Sequence, residues 1–301
     1  MSPPAAFVTR FAPSPSGLLH LGHAFSALTA YDAAQAAHGR FLLRIEDIDP
    51  GRCRPEFDAA IRDDLAWLGM RWEEPVRRQS EHFTDYDAAL QKLRALGVVY
   101  RCFLTRREIA EESARAPHGS GEGPDGVVYR GPAHPMSRDE EADRLTQGQP
   151  YAWRLSMTYS QGLLGEEFAR LVFEEEGFGS NGEHGTIVAC PALAGDVILA
   201  RKDAPVSYHL AVVHDDALQG VTHVIRGADL FAATHVHVLL QRLLGLPTPV
   251  YRHHGLMTGP DGKRYAKRDR SLTLAALRAS GVTPADIRAR IGLSPASGAI
   301  A

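Results

Sequence analysis

Two imidazoles, His20 and His23, flank Gly22 directly after a segment broken by Pro13, Pro15 and Gly17. The five residues before that segment, Phe7 to Phe11, form a short apolar run suited to a buried strand. After Gly22, Ala24, Leu28, Tyr31 and Ala34 recur at helical spacing. The turn therefore sits where a strand hands over to a helix N-terminus. Free backbone N–H groups and the helix dipole favour an anion at such a place. Two imidazoles beside it add donors for phosphate oxygens. A bare H-x-G-H also fits a surface loop, so its chemistry depends on what else the chain brings. Three carboxylates, Glu46, Asp47 and Asp49, follow the apolar run 41–45. In open parallel sheets the carboxyl end of a strand is where ligands bind. A charged turn ahead of a helix would read the same way. Near the other end, residues 263–270 carry Lys263, Arg264, Lys267, Arg268 and Arg270 in one basic loop.

These groups need elements to hold them. Residues 41–45, apolar except for Arg44, suggest a strand covered on both faces. A helix is expected over 56–68, with Phe57, Ile61, Leu65 and Leu68 on one side and Gly69 as its stop. Trp67 and Trp72 read as packing residues. Ser80 can cap the next helix, which runs through Leu90, Leu93 and Leu96 to Gly97. From Val98 the character shifts. Proline and glycine clusters, including a loop at 117–126, break the chain up to about 190. We read this as an inserted subdomain. Residues 195–201 alternate like a strand, 207–216 read as a second buried strand ending in Asp215 and Asp216, and 220–230 as a third with a polar exit. A helix over 232–244 carries His235 and His237, which face apart at i, i+2 and so make no metal pair. The expected organisation is 1–98 as the first half of a catalytic domain, 99–190 as the insertion, 191–245 as the second half, and 246–301 as the basic loop with a short helical region.

Composition sets the outer bounds. The chain has 301 residues, 44% of them hydrophobic, as in an ordinary globular protein. A formal net charge of -3 gives no global sign of nucleic-acid binding, so RNA contacts would have to come from local patches. Three scattered cysteines, Cys53, Cys102 and Cys190, argue against a disulfide scaffold and fit a reducing cytoplasm. No apolar run is long enough for a signal peptide or a membrane span.

The H-x-G-H turn, the L-R-I-E-D-x-D-x-x-R run from Leu43 to Arg52, Gln79-Ser80-Glu81, and the long run from Tyr208 to Leu230 together resemble the glutamyl/glutaminyl branch of the class I aminoacyl-tRNA synthetases. The resemblance covers about residues 8–274. It implies an α/β fold, a doubly wound parallel sheet of Rossmann-like type, with an inserted α+β acceptor-binding subdomain. About thirty residues follow Leu272, too few for the large helical anticodon-binding domain of full synthetases, so no such domain is expected. A truncated chain of this kind is similar to the glutamyl-Q tRNA(Asp) synthetase family. The wording R-F-A-P-S-P-S-G-x-L-H-x-G, usual in that family, is present from Arg10. That family esterifies glutamate onto the queuosine base in the anticodon loop of tRNA(Asp).

The resemblance implies ATP as substrate with Mg²⁺, L-glutamate as amino acid, and the tRNA(Asp) anticodon stem-loop as acceptor, in a monomer. It places ATP at His20, Gly22, His23 and Lys267, with His20, His23 and Lys267 as the catalytic groups. Lys267 alone survives from the family's K-M-S-K-S loop. Glutamate would lie among Arg10, Phe11, Ala12, Pro13, Ser14, Glu46, Tyr208 and Arg226, with the arginines on its carboxylates and Glu46 on its ammonium. A zinc site built in relatives from C-x-C and Y-x-x-x-C keeps Cys102 and Tyr129 but has Leu104 and Ala133 at the other places. Two ligands, one a phenol, cannot close a tetrahedral site. His118 and His134 are the available substitutes, and no zinc is expected. The rival readings are the same chemistry on another acceptor, a non-catalytic RNA-binding paralogue, and a nucleotidyltransferase for small molecules.

Overall fold

A computed structural model describes residues 6–115, 122–123, 126–132, 136–202, 204–257 and 273–295. Strand β1 (Val8–Phe11) leads into the Pro-rich loop and helix α1 (Leu21–Ala36), and β2 (Arg40–Ile45) pairs with β1 in parallel. Helix α2 (Pro55–Trp67) begins on a proline, whose missing N–H is no loss there, and ends before Gly69 at φ 83°. A two-residue strand β3 (Arg77–Arg78) adds to β2. Helix α3 (Phe83–Ala95) starts with His82, not Ser80, at its cap. Ser80 instead turns inward, and its N–H and hydroxyl both donate to Asp47 at 2.8 and 2.7 Å.

The next stretch holds β4 (Val99–Cys102), α4 (Arg106–Arg115), the short hairpin β5 (Glu122–Gly123) and β6 (Gly126–Val127), α5 (Arg138–Thr146), β7 (Ala152–Leu155) and α6 (Met157–Leu164). Then β8 (Val172–Glu175) and β9 (Gly185–Val188) pair antiparallel, and β10 (Val197–Arg201) pairs back onto β7. Apart from the β5-β6 hairpin, two sheets therefore share residues 99–201. One is the antiparallel order β10-β7-β4; the other draws β8 and β9 beside strands further along the chain.

Residues 207–216 form a helix, not the strand expected from their apolar run. Helix α7 (Tyr208–Leu218) is capped by Ser207 and buries His209, Leu210, Ala211, Val212, Val213, Asp215 and Asp216. Burial on nearly every side erases the 3.6-residue period, so the run imitates a covered strand. After it come β11 (His223–Gly227), α8 (Phe231–Leu244), β12 (Val250–His254), α9 (Leu274–Ala279) and α10 (Pro284–Arg290). Strands β11 and β12 are parallel, with Arg226 opposite His253. Thr222 joins β11 to β1: its N–H donates to the Val8 carbonyl at 2.9 Å, and its hydroxyl accepts from Val8 N–H at 2.8 Å. The parallel strands thus run side by side as β3-β2-β1-β11-β12-β8, with β9 antiparallel at the edge.

Two cores cover the two faces of this sheet. Phe41, Leu43, Ile45, Phe11 and Ile225 pack toward α1, α2, α9 and α10. Val8, Leu42, Val224 and Tyr251 pack toward α3, α7 and α8. Side chains alternate along a strand, so Arg10, Arg44, Arg226 and His253 all fall on the second face. One charge is poorly placed in the other core. Asp64 of α2 is fully buried, neither carboxylate oxygen has a hydrogen bond among the described residues, and Arg278 lies 3.7 Å away. Burial pushes its carboxyl up to about 6. Between an unfolded value near 4 and that native value, the folded chain holds a proton the unfolded chain has lost, so raising the pH through this window removes stability. An Asp64→Asn variant should gain on the parent by about 1–3 kcal/mol between pH 4 and pH 7.5. Urea midpoints at the two pH values check this; an unchanged difference overturns it.

Candidate functional site

The loop after β1 delivers the two imidazoles as part of the helix cap itself. His20 is the N-cap of α1, and its Nδ1 accepts from the Gly22 N–H at 3.1 Å. His23 Nδ1 accepts from the His20 N–H at 3.2 Å. A neutral imidazole with Nδ1 accepting carries its proton on Nε2. Both histidines are therefore fixed as Nε2–H donors at a helix N-terminus, with ring centroids 3.8 Å apart. Gly22 makes room for this: a Cβ there would come 3.1 Å from His20 Cε1. The fourth nucleotide-binding residue expected from the sequence, Lys267, lies outside the described residues, as do Lys263, Arg264, Arg268 and Arg270.

On the α7 face of the sheet the strand ends bring four charged residues together. Arg44 is wholly buried and is held by Asp216 at 2.7 Å, Glu46 at 3.0 Å and Gln219 at 3.1 Å. Asp216 also accepts from Arg10 Nε at 2.9 Å. Burial alone would raise the Asp216 carboxyl, but Arg10 and Arg44 hold it below the usual range. Glu46 differs: burial raises its carboxyl more than Arg44 and Arg10 lower it. Arg10 spends only Nε on this network, and its two Nη atoms make no hydrogen bond among the described residues. Glu46 likewise accepts only through Oε1 there, and Arg10 acts on it electrostatically.

Arg226 is buried too, but differently partnered. Its Nε donates to His253 Nε2 at 3.1 Å, and Nη2 to Thr234 Oγ1 at 2.7 Å and the Leu230 carbonyl at 3.2 Å. Nη1 faces the Tyr208 hydroxyl at 3.2 Å and His237 Nδ1 at 3.3 Å. None of these partners is a carboxylate. Burial, then Arg226 itself, pushes the His237 imidazole well below its ordinary value, and burial also lowers His253. Burial raises the Tyr208 phenol, so it keeps its proton to give away. Arg10 and Arg226 both act electrostatically on Tyr208 and on His237, so the two guanidiniums share one locality.

The remaining residues expected around glutamate lie at the end of β1 and in the loop after it. Phe11 is buried in the opposite core. Pro13 is buried and its carbonyl accepts the Glu46 N–H at 3.0 Å, tying the loop to the end of β2. Ala12 is half-buried beside it, and exposed Ser14 has its hydroxyl 3.6 Å from Cys53 Sγ. A cleft of about 590 Å³ opens from Tyr208 and His209 toward α4, β6 and β10, with Ile48, Arg52, Arg106 and Arg201 on its walls.

Several of these residues were not singled out from the sequence: Arg44, Asp216 as the holder of two arginines, Glu175, His253, Thr234 and His209. Arg44 offered a signal, since one charge in a buried strand must be paired. His237, expected only to face away from His235, is a neighbour of Arg226, while His235 turns the other way to accept the Cys190 N–H at 3.1 Å. At the former zinc positions, Cys102 and Tyr129 lie in a small apolar cluster with Ile109, against which Leu104 packs. Ala133, His118 and His134 lie outside the described residues. Among the described residues no group of three His, Cys, Asp or Glu is placed to hold a metal ion. No helix among them is long and apolar enough to cross a membrane.

Comparison with known proteins adds to this geometry. Residues 6–298 match the family described as tRNA synthetases class I (E and Q), catalytic domain. The glutamyl-Q tRNA(Asp) synthetase of Rhodobacter capsulatus is 51% identical over 288 residues, 95% of this chain and 100% of that protein. That of Symbiobacterium thermophilum is 40% identical, covering 91% of this chain and 82% of the relative. The crystal structure of glutamate-tRNA synthetase from Elizabethkingia anophelis superposes with a TM-score of 0.71 at 28% identity, over 88% of this chain and 53% of that one.

Proposed function

The chain belongs to the class I tRNA synthetase family for E and Q, with the glutamyl-Q tRNA(Asp) synthetases, and we propose that it activates L-glutamate with ATP and transfers it to queuosine in the anticodon loop of tRNA(Asp). It is a ligase of the aminoacyl-tRNA synthetase type. The observation that carries the glutamate reading is the pair of buried guanidiniums around Tyr208. Among the described residues, Arg10 has an unspent fork and Arg226 has no carboxylate as a direct partner. A dicarboxylic amino acid supplies the missing negative charge, and Glu46 Oε2 suits its ammonium. Planar guanidinium forks favour carboxylates held in two places.

In the first step the glutamate α-carboxylate oxygen attacks the α-phosphorus of ATP, forming the acyl-phosphate bond as the bond to pyrophosphate breaks. The protein's part is to position charge and to stabilise what develops on phosphate oxygens. His20 and His23 donate there through Nε2, beside the dipole of α1. Mg²⁺ arrives as part of the nucleotide substrate. Lys267 adds a point charge. Tyr208, polarised by Arg226, donates its O–H to a glutamate carboxylate. In the second step a hydroxyl of the acceptor attacks the acyl carbon and AMP leaves with the phosphate oxygen. The cleft between Tyr208 and the inserted elements suits that approach, with Arg52, Arg106 and Arg201 for flanking phosphates. Lys263, Arg264, Arg268 and Arg270 serve the same purpose.

The test has two stages. Glutamate-dependent ATP–pyrophosphate exchange should proceed with no RNA present, and absence of exchange overturns activation. Labelled glutamate should then charge purified tRNA(Asp) only when it carries queuosine, and nuclease mapping should find the label in the anticodon fragment. Label at the 3′ end, or on unmodified RNA, overturns the acceptor and leaves activation standing.

A further inference from the structure

Arg10 and Arg44 are held by carboxylates; Arg226 is held by imidazoles. The protonation pattern of those imidazoles follows from geometry. A guanidinium only donates hydrogen bonds. The nitrogens facing it, His253 Nε2 and His237 Nδ1, must therefore present lone pairs. His253 Nδ1 lies 2.5 Å from Glu175 Oε2, so its proton sits on that side. Glu175 is itself pinned, its other oxygen accepting from the Gly177 and His253 main-chain N–H groups, each at 2.8 Å. A Cβ at Gly177 would come 2.0 Å from the His253 carbonyl oxygen, so this close approach depends on glycine. His237 Nε2, which must carry the other imidazole's proton, lies 3.1 Å from His209 Nδ1.

Resting on the glutamate reading above, we propose that His253 and His237 position Arg226 and set specificity for the substrate carboxylate, with Glu175 fixing the proton of His253 away from the guanidinium. The imidazoles aim the cation through lone pairs alone and keep the Glu175 carboxylate one ring away from it, which leaves direct contact with an anion to the substrate. A carboxylate in either place would aim it equally well and neutralise it. In a buried site that difference is large, because an opposite charge acts far more strongly there than in water.

Exchange kinetics of the full chain, with glutamate and ATP varied separately, test this. His253→Ala and His237→Ala should raise the KM for glutamate about 10–100-fold, the loss expected from one hydrogen bond to a charged group. The KM for ATP should stay within about twofold, since ATP does not meet Arg226. His253→Gln and His237→Gln, which restore a neutral acceptor, should recover most of the loss. Glu175→Gln should resemble His253→Ala despite its size, because the new amide can donate to Nδ1 and turn the His253 proton toward Arg226. His237→Glu should remove glutamate binding while calorimetric titration with ATP stays as in the parent. An unchanged glutamate KM in the alanine variants, glutamine variants no better than alanine, or glutamate binding retained in His237→Glu overturns the proposal. If the alanine variants do not fold, the glutamine variants, Glu175→Gln and His237→Glu decide it. A parent enzyme with no glutamate-dependent exchange takes the glutamate reading down, and this inference with it. An active parent with insensitive variants sinks the inference alone.

Discussion

Arg226→Ala should lower kcat/KM for glutamate in ATP–pyrophosphate exchange by about 10²–10⁴-fold, corresponding to the 3–5 kcal/mol expected when one member of a buried, hydrogen-bonded charge pair is removed. The size follows from where the cation sits. It is 5% exposed, and its direct partners are a phenol, two imidazoles, a hydroxyl and a carbonyl. None of these is an anion, and the Glu175 carboxylate stands one ring away behind His253, so on the glutamate reading a substrate carboxylate is the anion that touches the guanidinium directly. The alanine variant offers only dipoles. Arg226→Lys should also be impaired by more than about tenfold, because one ammonium cannot reach His253, Thr234 and Tyr208 together. Glutamine should be a poor substrate for the parent, since its amide leaves the cradle without its counter-charge. ATP binding followed by calorimetry should be unaffected by either substitution. Exchange near the parent level in Arg226→Ala would mean that the carboxylate is held elsewhere.

What could be read from the chain and what could not divides by distance along it. The turn at His20, the helix behind it and the run at 41–45 are local patterns, and β1, α1 and β2 lie within a residue or a few of where those patterns put them. The strand parity that sets Arg10, Arg44 and Arg226 on one face is local too, and a period of two along 8–11, 40–45 and 223–227 would have disclosed it. Helix α7 was lost because its apolar run has no face left for water. Its serine cap was the better signal than its hydropathy. The partners themselves are long-range: Glu175 meets His253 across 78 positions, and Asp216 meets Arg10 across 206. No spacing in the chain announces such pairings; they exist only once the sheet order brings β8 beside β12, and α7 over β1. The spacing of His235 and His237 correctly sends the two rings apart, but only the packing of α8 decides that His237 is the one that meets an arginine.

Asp216→Ala carries the second large effect, because one carboxylate on α7 holds two arginines from two strands. Removing it leaves Arg10 and Arg44 buried, with Glu46 and the more distant Asp215 as the remaining counter-charges for Arg44 and none in direct contact with Arg10 among the described residues. Breaking a buried pair in this way costs about 3–5 kcal/mol, read as a lower urea midpoint. The sign with pH is fixed by the direction of the shift. The native carboxyl is depressed, so its stabilisation is fully present above the unfolded value near 3.9 and fades as the pH falls below it toward the native value. The gap between parent and variant should therefore narrow under acid and be widest at neutral pH; a gap that widens as the pH falls would contradict this. Asp216→Asn separates aim from charge. Its amide oxygen can still accept from Arg10 Nε, so the fork keeps its direction while the negative charge goes. If Asp216 serves to orient Arg10, the Asn variant should keep its glutamate KM within about threefold of the parent, while Asp216→Ala raises it about tenfold or more. Equal glutamate KM values in the two variants would show instead that Arg10 is aimed by its strand alone, and that the carboxylate is there only to make two buried guanidiniums tolerable.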